Sequence, residues 1–257
     1  MNIEQSDKSH RKGASVTARA LAILSAFEGA HPQLSLSDIA RRANLPVSTA
    51  HRLVAELVDW GALERRHNRY VIGDRLWKLG LLAPVRRDIA EVAAPYMQDV
   101  LFVTHNVVNL FVTQDGCALL LERISGTRVG TPFRNVGDLL PLHASAAGKV
   151  LIAYSAQQST LMATASDTLT SLTPHTITST ERFETEIQGV YRNGYAVSQQ
   201  EVGLQNFAVA VPILDHKGNA IAALGVVHRE LPSIGSVVPV LRIAARGIAR
   251  RLNVGFD

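Results

Sequence analysis

At 257 residues the chain exceeds the size at which single hydrophobic cores stop growing, so two domains are expected. Its 47% hydrophobic and 19% charged residues describe a folded globular chain rather than a disordered one, and no apolar run approaches the roughly 18 residues of a membrane span. The net charge of +4 is uneven: residues 1–83 hold 12 Lys/Arg against 8 Asp/Glu, whereas residues 84–257 hold 14 against 14. An electrostatic footprint for phosphates is therefore expected on the first third alone.

The opening MNIEQSDKSHRKGAS is polar and lacks an apolar secretion core, so residues 1–14 read as a mobile tail. A single cysteine, Cys117, cannot close an intramolecular disulfide, as expected in a reducing cytoplasm. It falls in an expected strand with apolar neighbours, where a buried thiol is inert.

A first helix is expected from Val16 to Gly29, capped by Ser15 or Thr17, with Ala20, Ile23, Leu24 and Phe27 as its buried stripe. In LSLSDIARRANLP, Ser35 or Ser37 caps a second helix, Ser35 to Ala43, with Leu36, Ile39 and Ala40 facing inward. Pro46 stands where a third helix would begin, a position that wastes no N–H. That helix, Val47 to Trp60, places Val47, Ala50, Leu53, Val54, Leu57 and Val58 on one buried face by their spacing. Its other face shows Ser48, Thr49, His51 and Arg52, which suit phosphates or base edges. Three helices with tight turns, the last polar outside, make a helix-turn-helix. After Gly61 the run ALERRHNRYVIG has two short strand-like pieces around Arg66-His67-Asn68, with Arg65, Arg66, His67 and Arg69 at the tip. Joined to the preceding helix, this reads as a basic wing gripping the sugar-phosphate backbone.

The stretch STAHRLVAELVDWGALERRHNRYVIGDRLWKLG resembles the winged helix-turn-helix of the IclR-type transcriptional regulators. The matching positions are Ser48, Thr49, Arg52, Leu53, Gly61, Tyr70, Gly73, Leu79 and Gly80. The resemblance implies a recognition helix in the major groove and a wing at the adjacent groove of duplex DNA. On that basis Ser48, Thr49, His51 and Arg52 are the helix candidates, Arg65, Arg66, Asn68 and Arg69 the wing candidates, and Arg19 and Arg41 secondary ones. Arg52 alternatively braces a phosphate, and only base contacts would confer specificity.

DRLWKLGLLAPVRRDIAEVAAPYMQDVLFVTHN reads as two linker helices broken near Ala83-Pro84. Ile89, Val92, Ala93, Tyr96, Met97, Val100 and Leu101 stripe the second, which Pro95 would kink or break. Plain core is the simple reading of Trp77, Leu79, Leu81 and Leu82. Beside a detached reading head, part of this surface is expected to pack against a second copy, since a two-fold operator needs two heads.

Beyond Asn106, hairpins alternate with helical patterns. VVNLFVTQDG and CALLLERISG form two strands joined through Gln114-Asp115-Gly116. HASAAGKVLIAYS, residues 156–165 and 181–192 are helical, a short strand follows Gly194, FAVAVPILD and AIAALGVVH flank a DHKGN turn, and the last helix spans Ser236 to Leu252. Without βαβ regularity, an α+β domain with a mostly antiparallel sheet is expected. LPLHASAAGKVLIAY and GYAVSQQEVGLQNFAVAVPILDHKGNAIAALGVV extend the family resemblance, which implies a GAF-like sensor fold and a small organic effector. Carried over residue by residue, backbone N–H groups of Ala146 and Ala147 hold the ligand, as a helix N-terminus attracts anions. The polar side-chain contacts of the family's small-acid sensors map to Ser198, Asn206, Gly225 and Val227. Where those sensors use Asp or Ser, Ser198, Gly225 and Val227 depart from a small-oxoacid pocket. A larger ligand is expected, an aromatic or branched carboxylic acid, with Val129, Phe133 and Leu142 lining the site.

Enzyme and metal chemistry have little support. Asp138, His143 and Ser145 name the parts of a hydrolase triad, but no Gly-x-Ser-x-Gly elbow is present. GTRVG and GLQNF lack a Walker Lys-Ser/Thr pair. His143, His175, His216 and His228 are scattered without a cysteine cluster.

The chain is thus expected to be α+β: a tail (1–14), a winged helix-turn-helix (15–74), linker helices (75–105) and a GAF-like effector domain (106–257). A cytoplasmic DNA-binding regulator follows, with no cofactor, no metal and no membrane. Its expected partners are a double-stranded operator, a small organic acid and a second copy, as a homodimer or a tetramer formed from two dimers. Repression is the default sign. The alternatives are an activator of catabolic genes with the same architecture, or a metal or small-molecule sensor with a different ligand.

Overall fold

The computed structural model describes residues 15–27, 31–80, 87–126, 135–167, 169–230 and 233–253. The tail, the break at Ala83-Pro84, and the pocket candidates Val129 and Phe133 lie outside the described residues. The chain divides into two compact units, Met1–Val85 and Arg86–Asp257.

In the first unit, α1 (Val16–Leu24) starts on Ser15, whose hydroxyl accepts the Ala18 N–H, and α2 (Leu36–Arg42) starts on Ser35, which accepts from Asp38. Each cap stabilises its helix by about 1 kcal/mol. Read from sequence, α1 extends to Gly29; here it stops at Leu24, because Ala26 and Phe27 bond to Ile23 and Leu24 as tight turns. Asn44, at φ 53°, turns the chain between α2 and α3 (Val47–Trp60). Pro46 is the residue before the first helical turn, not its first member, and its carbonyl accepts the Ala50 N–H. Ala50, Leu53 and Val54 are buried and Leu57 and Val58 half-buried, but Val47 is 54% exposed. Its position opens the helix, so no preceding turn covers it. Ile23, Leu34, Ile39, Leu53, Val54 and Leu63 close one small core.

The end of α3 holds the wing. Gly61, at φ 84°, lets its own N–H reach the Val58 carbonyl and the Ala62 N–H reach Leu57, a left-handed helix stop that favours glycine. β1 (Leu63–Arg66) and β2 (Arg69–Ile72) then form an antiparallel ribbon. A side chain at Gly73 would meet the Gly61 carbonyl oxygen at 2.3 Å, so helix end and ribbon base are pressed together. The Leu34–Tyr70 bridge ties the ribbon to the segment before α2. α4 (Asp74–Gly80) has no buried residue.

The second unit is built on a six-stranded sheet in the order β5-β4-β3-β8-β7-β6, antiparallel at every pairing. The strands are β3 (Val107–Gln114), β4 (Cys117–Ile124), β5 (Leu139–Pro141), β6 (Ala196–Gln199), β7 (Phe207–Leu214) and β8 (Ala220–His228). β3 and β4 join through Asp115 (φ 48°) and Gly116 (φ 73°), the two positive φ angles that a two-residue hairpin turn requires. Cys117 opens β4 and is half-exposed rather than buried, because it follows that turn directly.

One sheet face presents Val108, Leu110, Val112, Val209, Val211, Leu224 and Val226 to α5 (Arg87–Thr104) and α9 (Ile234–Asn253). α5, read as linker from sequence, thereby contributes Ala93, Met97 and Val100 to this core. It runs unbroken through Pro95, which is exposed, while the flanking apolar residues anchor it to the sheet. The opposite face carries α6 (Ala146–Ala153), α7 (Gln158–Ser166) and α8 (Thr180–Asn193) over Phe111, Leu120, Ala210 and Ala223. β5, unforeseen in the sequence, is three residues on the sheet edge.

Candidate DNA-binding and effector sites

The outer face of α3 and the wing tip belong to one compact unit. Ser48, His51 and Arg52 are exposed and Thr49 is half-buried. Arg52 pairs with Glu56 one turn on, at 2.9 Å, both about 60% exposed. Such a pair contributes a few tenths of a kcal/mol, so an incoming phosphate or base edge displaces it readily. At the wing tip Arg65, Arg66, Asn68 and Arg69 are all exposed. The register sets Arg66 directly opposite Arg69, and like charges facing each other are destabilising. Glu64 relieves one of them through a forked bond to Arg66 at 3.1 Å, which lowers the Glu64 pKa and raises that of Arg66. Arg65 donates to the His67 carbonyl, and Arg69 reaches the Gln33 carbonyl at 3.4 Å. The secondary candidates stand on other elements. Arg19 is half-buried on α1; Arg41, in the last turn of α2, pairs with Asp38, whose carboxyl the Ser35 hydroxyl and Arg41 together hold below the usual range.

In the second unit the start of α6 gathers several of the effector candidates. Ser145 caps the helix by accepting the Gly148 N–H at 3.0 Å and donates to the Pro141 carbonyl. Ala146 and Ala147 are buried, and as first-turn residues their N–H groups have no helical acceptor. Leu142 is buried beneath them: a side chain at Gly148 would strike its backbone at 2.4 Å. Ser198, on β6, is buried and donates to the Ala144 carbonyl at 2.8 Å, which anchors the segment before α6. Gly225 and Val227 lie two apart on β8, opposite Ala210 and Ala208 of β7. A Cβ at Gly225 would sit 2.9 Å from the Val209 carbonyl oxygen. Asn206 stands apart, half-buried in the turn before β7, where its carbonyl accepts the Gln200 N–H.

Two polar residues near this region escaped the sequence. Asn109 faces Gly225 across β3–β8 and Arg123 across β3–β4. Its neighbours Val108 and Leu110 point to the α5–α9 face, so Asn109 and Arg123 point to the α6 face. Asn109 is 3% exposed and its Oδ1 has no partner. The one available signal was a lone Asn inside the apolar run VVNLFV.

On α6 itself, Lys149 is 1% exposed and its ammonium donates to Glu201 at 2.7 Å, Glu186 at 3.1 Å and the Val197 carbonyl at 3.2 Å. Burial pushes the Glu201 carboxyl up, against the pull of Lys149. The parts of the hypothetical triad are engaged separately: His143 with the Thr170 carbonyl at 3.0 Å, Ser145 in the cap, and Asp138 with the Asn135 N–H. Among the described residues no group of three His, Cys, Asp or Glu is placed to hold a metal ion, and no helix is long and apolar enough to cross a membrane.

His143 also predicts a pH dependence. Burial, with Lys149 nearby, holds its pKa below 6.5 although the Thr170 carbonyl opposes this. The unfolded chain then binds the proton more readily, so stability is full above the unfolded value and declines as pH falls toward the folded one. His228 is shifted the same way by burial. The thermal midpoint should drop between pH 7 and 5, and His143→Leu should flatten that drop in part. A slope identical in variant and wild type would remove His143 as a source.

The comparisons with known proteins agree with this geometry. Residues 16–67 match the IclR helix-turn-helix domain, and residues 83–251 match the bacterial transcriptional regulator IclR C-terminal model. The HTH-type transcriptional regulator KipR of Bacillus subtilis (strain 168) is 26% identical over 227 residues, 86% of this chain and 91% of its own length. The HTH-type transcriptional repressor AllR of Escherichia coli (strain K12) is 28% identical over 226 residues, 86% of this chain and 83% of its own. An IclR homologue from Microbacterium hydrocarbonoxydans, solved in complex with 4-hydroxybenzoate, superposes with a TM-score of 0.85 at 33% identity, covering 93% of this chain and all of that one. The Thermotoga maritima IclR gives 0.75 at 25% identity, covering 92% and 98%. With a basic wing beside a three-helix head in one unit and a six-stranded antiparallel sheet in the other, the chain belongs to the IclR family of bacterial transcriptional regulators.

Proposed function

We propose that the chain is a cytoplasmic repressor that binds a two-fold DNA operator as a homodimer or a dimer of dimers and is modulated by a small organic acid. The observation that carries the DNA interface is the wing tip, where Arg66 faces Arg69 beside the polar face of α3: an arrangement that repels itself in isolation is relieved by an anionic backbone. Ser48, Thr49, His51 and Arg52 are assigned to the major groove and Arg65, Arg66, Asn68 and Arg69 to the backbone or minor groove, with Arg19 and Arg41 as flanking phosphate contacts. Pairing of two copies is supported by α4, which exposes Trp77 at 64% and Leu79 at 47%. The repressor AllR supports the sign of regulation, and the 4-hydroxybenzoate complex of the Microbacterium homologue supports an acidic effector. The ligand is assigned to the N–H groups of Ala146 and Ala147, with Leu142, Ser198, Gly225 and Val227 around it and Asn206, Val129 and Phe133 as outlying members. Regulatory binding, not catalysis, is the role assigned to both units.

Selection of duplexes from a random pool by the full-length protein should yield a partly palindromic consensus with half-sites about one helical turn apart. Light scattering should give a mass of two or four chains. Within a panel of aromatic and branched carboxylic acids, at least one should change operator affinity; a silent panel would remove the acid-effector reading.

A further inference from the structure

Across the α6 face of the sheet, one row runs from Arg123 on β4 through Asn109 on β3 and Gly225 on β8 to Ala210 on β7. A glycine and an alanine add little bulk to this row. Both polar members are uncommitted: Asn109 Oδ1 is buried without a partner, and the Arg123 guanidinium makes no ion pair among the described residues. Arg123 is half-buried, and burial alone depresses its pKa, with no carboxylate to restore it. A buried amide oxygen without a donor is destabilising, and the half-buried guanidinium beside it lacks an anionic partner. Two such groups side by side call for one partner group that donates to the first and accepts from the second. With the carboxylate placed at the start of α6, a hydroxyl does both and a bare hydrocarbon end does neither.

We propose that Asn109 and Arg123 are specificity-determining residues that bind a hydroxyl of the effector, so that the effector is a hydroxylated carboxylic acid. This inference rests on the acid-effector reading above, with the carboxylate at Ala146 and Ala147 and the hydroxyl at the Asn109 end. It assigns to the chain discrimination between acids that differ only in one hydroxyl, and it accounts for a polar residue in an otherwise apolar strand.

Calorimetric titration of the full-length protein with benzoate, 3-hydroxybenzoate and 4-hydroxybenzoate tests it. At least one hydroxybenzoate should bind about tenfold or more tightly than benzoate, because the unhydroxylated acid leaves Asn109 unpaired. Asn109→Leu, similar in shape and without the acceptor, should bring that ratio close to one. Arg123→Met, at a half-exposed position, should weaken hydroxybenzoate more than benzoate, and it serves as the second variant if Asn109→Leu does not fold. Benzoate binding as tightly as both hydroxy acids in the wild type would overturn the proposal and point to a water on Asn109. A ratio unchanged in either folded variant would overturn it too, as would silence of all three probes when another acid of the wider panel binds; the acid-effector reading survives each of these outcomes. It fails, and takes the proposal with it, only when the wider panel is silent as well.

Discussion

Lys149→Met should destabilise the second unit by about 3–5 kcal/mol, the cost of leaving a buried charge without its partner. The wild-type ammonium is 1% exposed and serves three acceptors, two of them carboxylates. Glu201, with a side chain only 7% exposed, would keep only a long contact from the Gln199 N–H, since its second oxygen already has no partner. Burial already raises the Glu201 pKa with Lys149 in place, and in the variant the opposing pull of that ammonium is gone, so the carboxyl is pushed up further. Glu201→Gln in the same chain should recover a large part of the loss, because it removes the buried charge that the first substitution orphans. Denaturant unfolding followed by far-UV circular dichroism measures both. Trp60 and Trp77, both in Met1–Val85, provide a separate fluorescence probe of the first unit. A Lys149→Met cost below about 1 kcal/mol would mean that the cluster behaves as a solvated surface pair.

That cluster also shows where sequence reasoning stops. In HASAAGKVLIAYS, Lys149 resembles any polar residue on a helix, and its carboxylate partners stand 37 and 52 residues away. Asn109 and Arg123 meet only through a strand register that shifts between Leu110 and Phe111, a displacement without a local signature. β5 is three residues held by pairing with β4, too short to alternate. By contrast α3 is read with both of its ends, because the apolar spacing, Pro46 before it and the left-handed Gly61 after it are all local. The remaining errors follow the same division. Val47 satisfies the spacing of the stripe but has nothing packed over it, and Pro95 signals a break that sheet packing overrides.

The second large effect concerns the reading head. If Arg52 reads a base edge, Arg52→Ala should lower operator affinity by about 1–3 kcal/mol and relax specificity at one base pair. Arg69→Ala, on the wing, should weaken binding to every duplex alike and reduce the slope of log affinity against log salt by about one. The two outcomes separate recognition from gripping, and the structure supplies an internal control. Glu56 holds the Arg52 guanidinium in the free protein at 2.9 Å, and this carboxylate must be left behind for Arg52 to reach DNA. Glu56→Ala should therefore tighten binding, and it should do so only when Arg52 is present. Gel shifts on a selected operator at two salt concentrations, with the two single variants and the double variant, resolve the cycle. Unchanged binding of Arg52→Ala would move recognition off the face that Ser48, Thr49 and His51 share with it. A gain from Glu56→Ala that persists without Arg52 would make Glu56 a general repulsive charge against phosphate rather than a gate on one arginine.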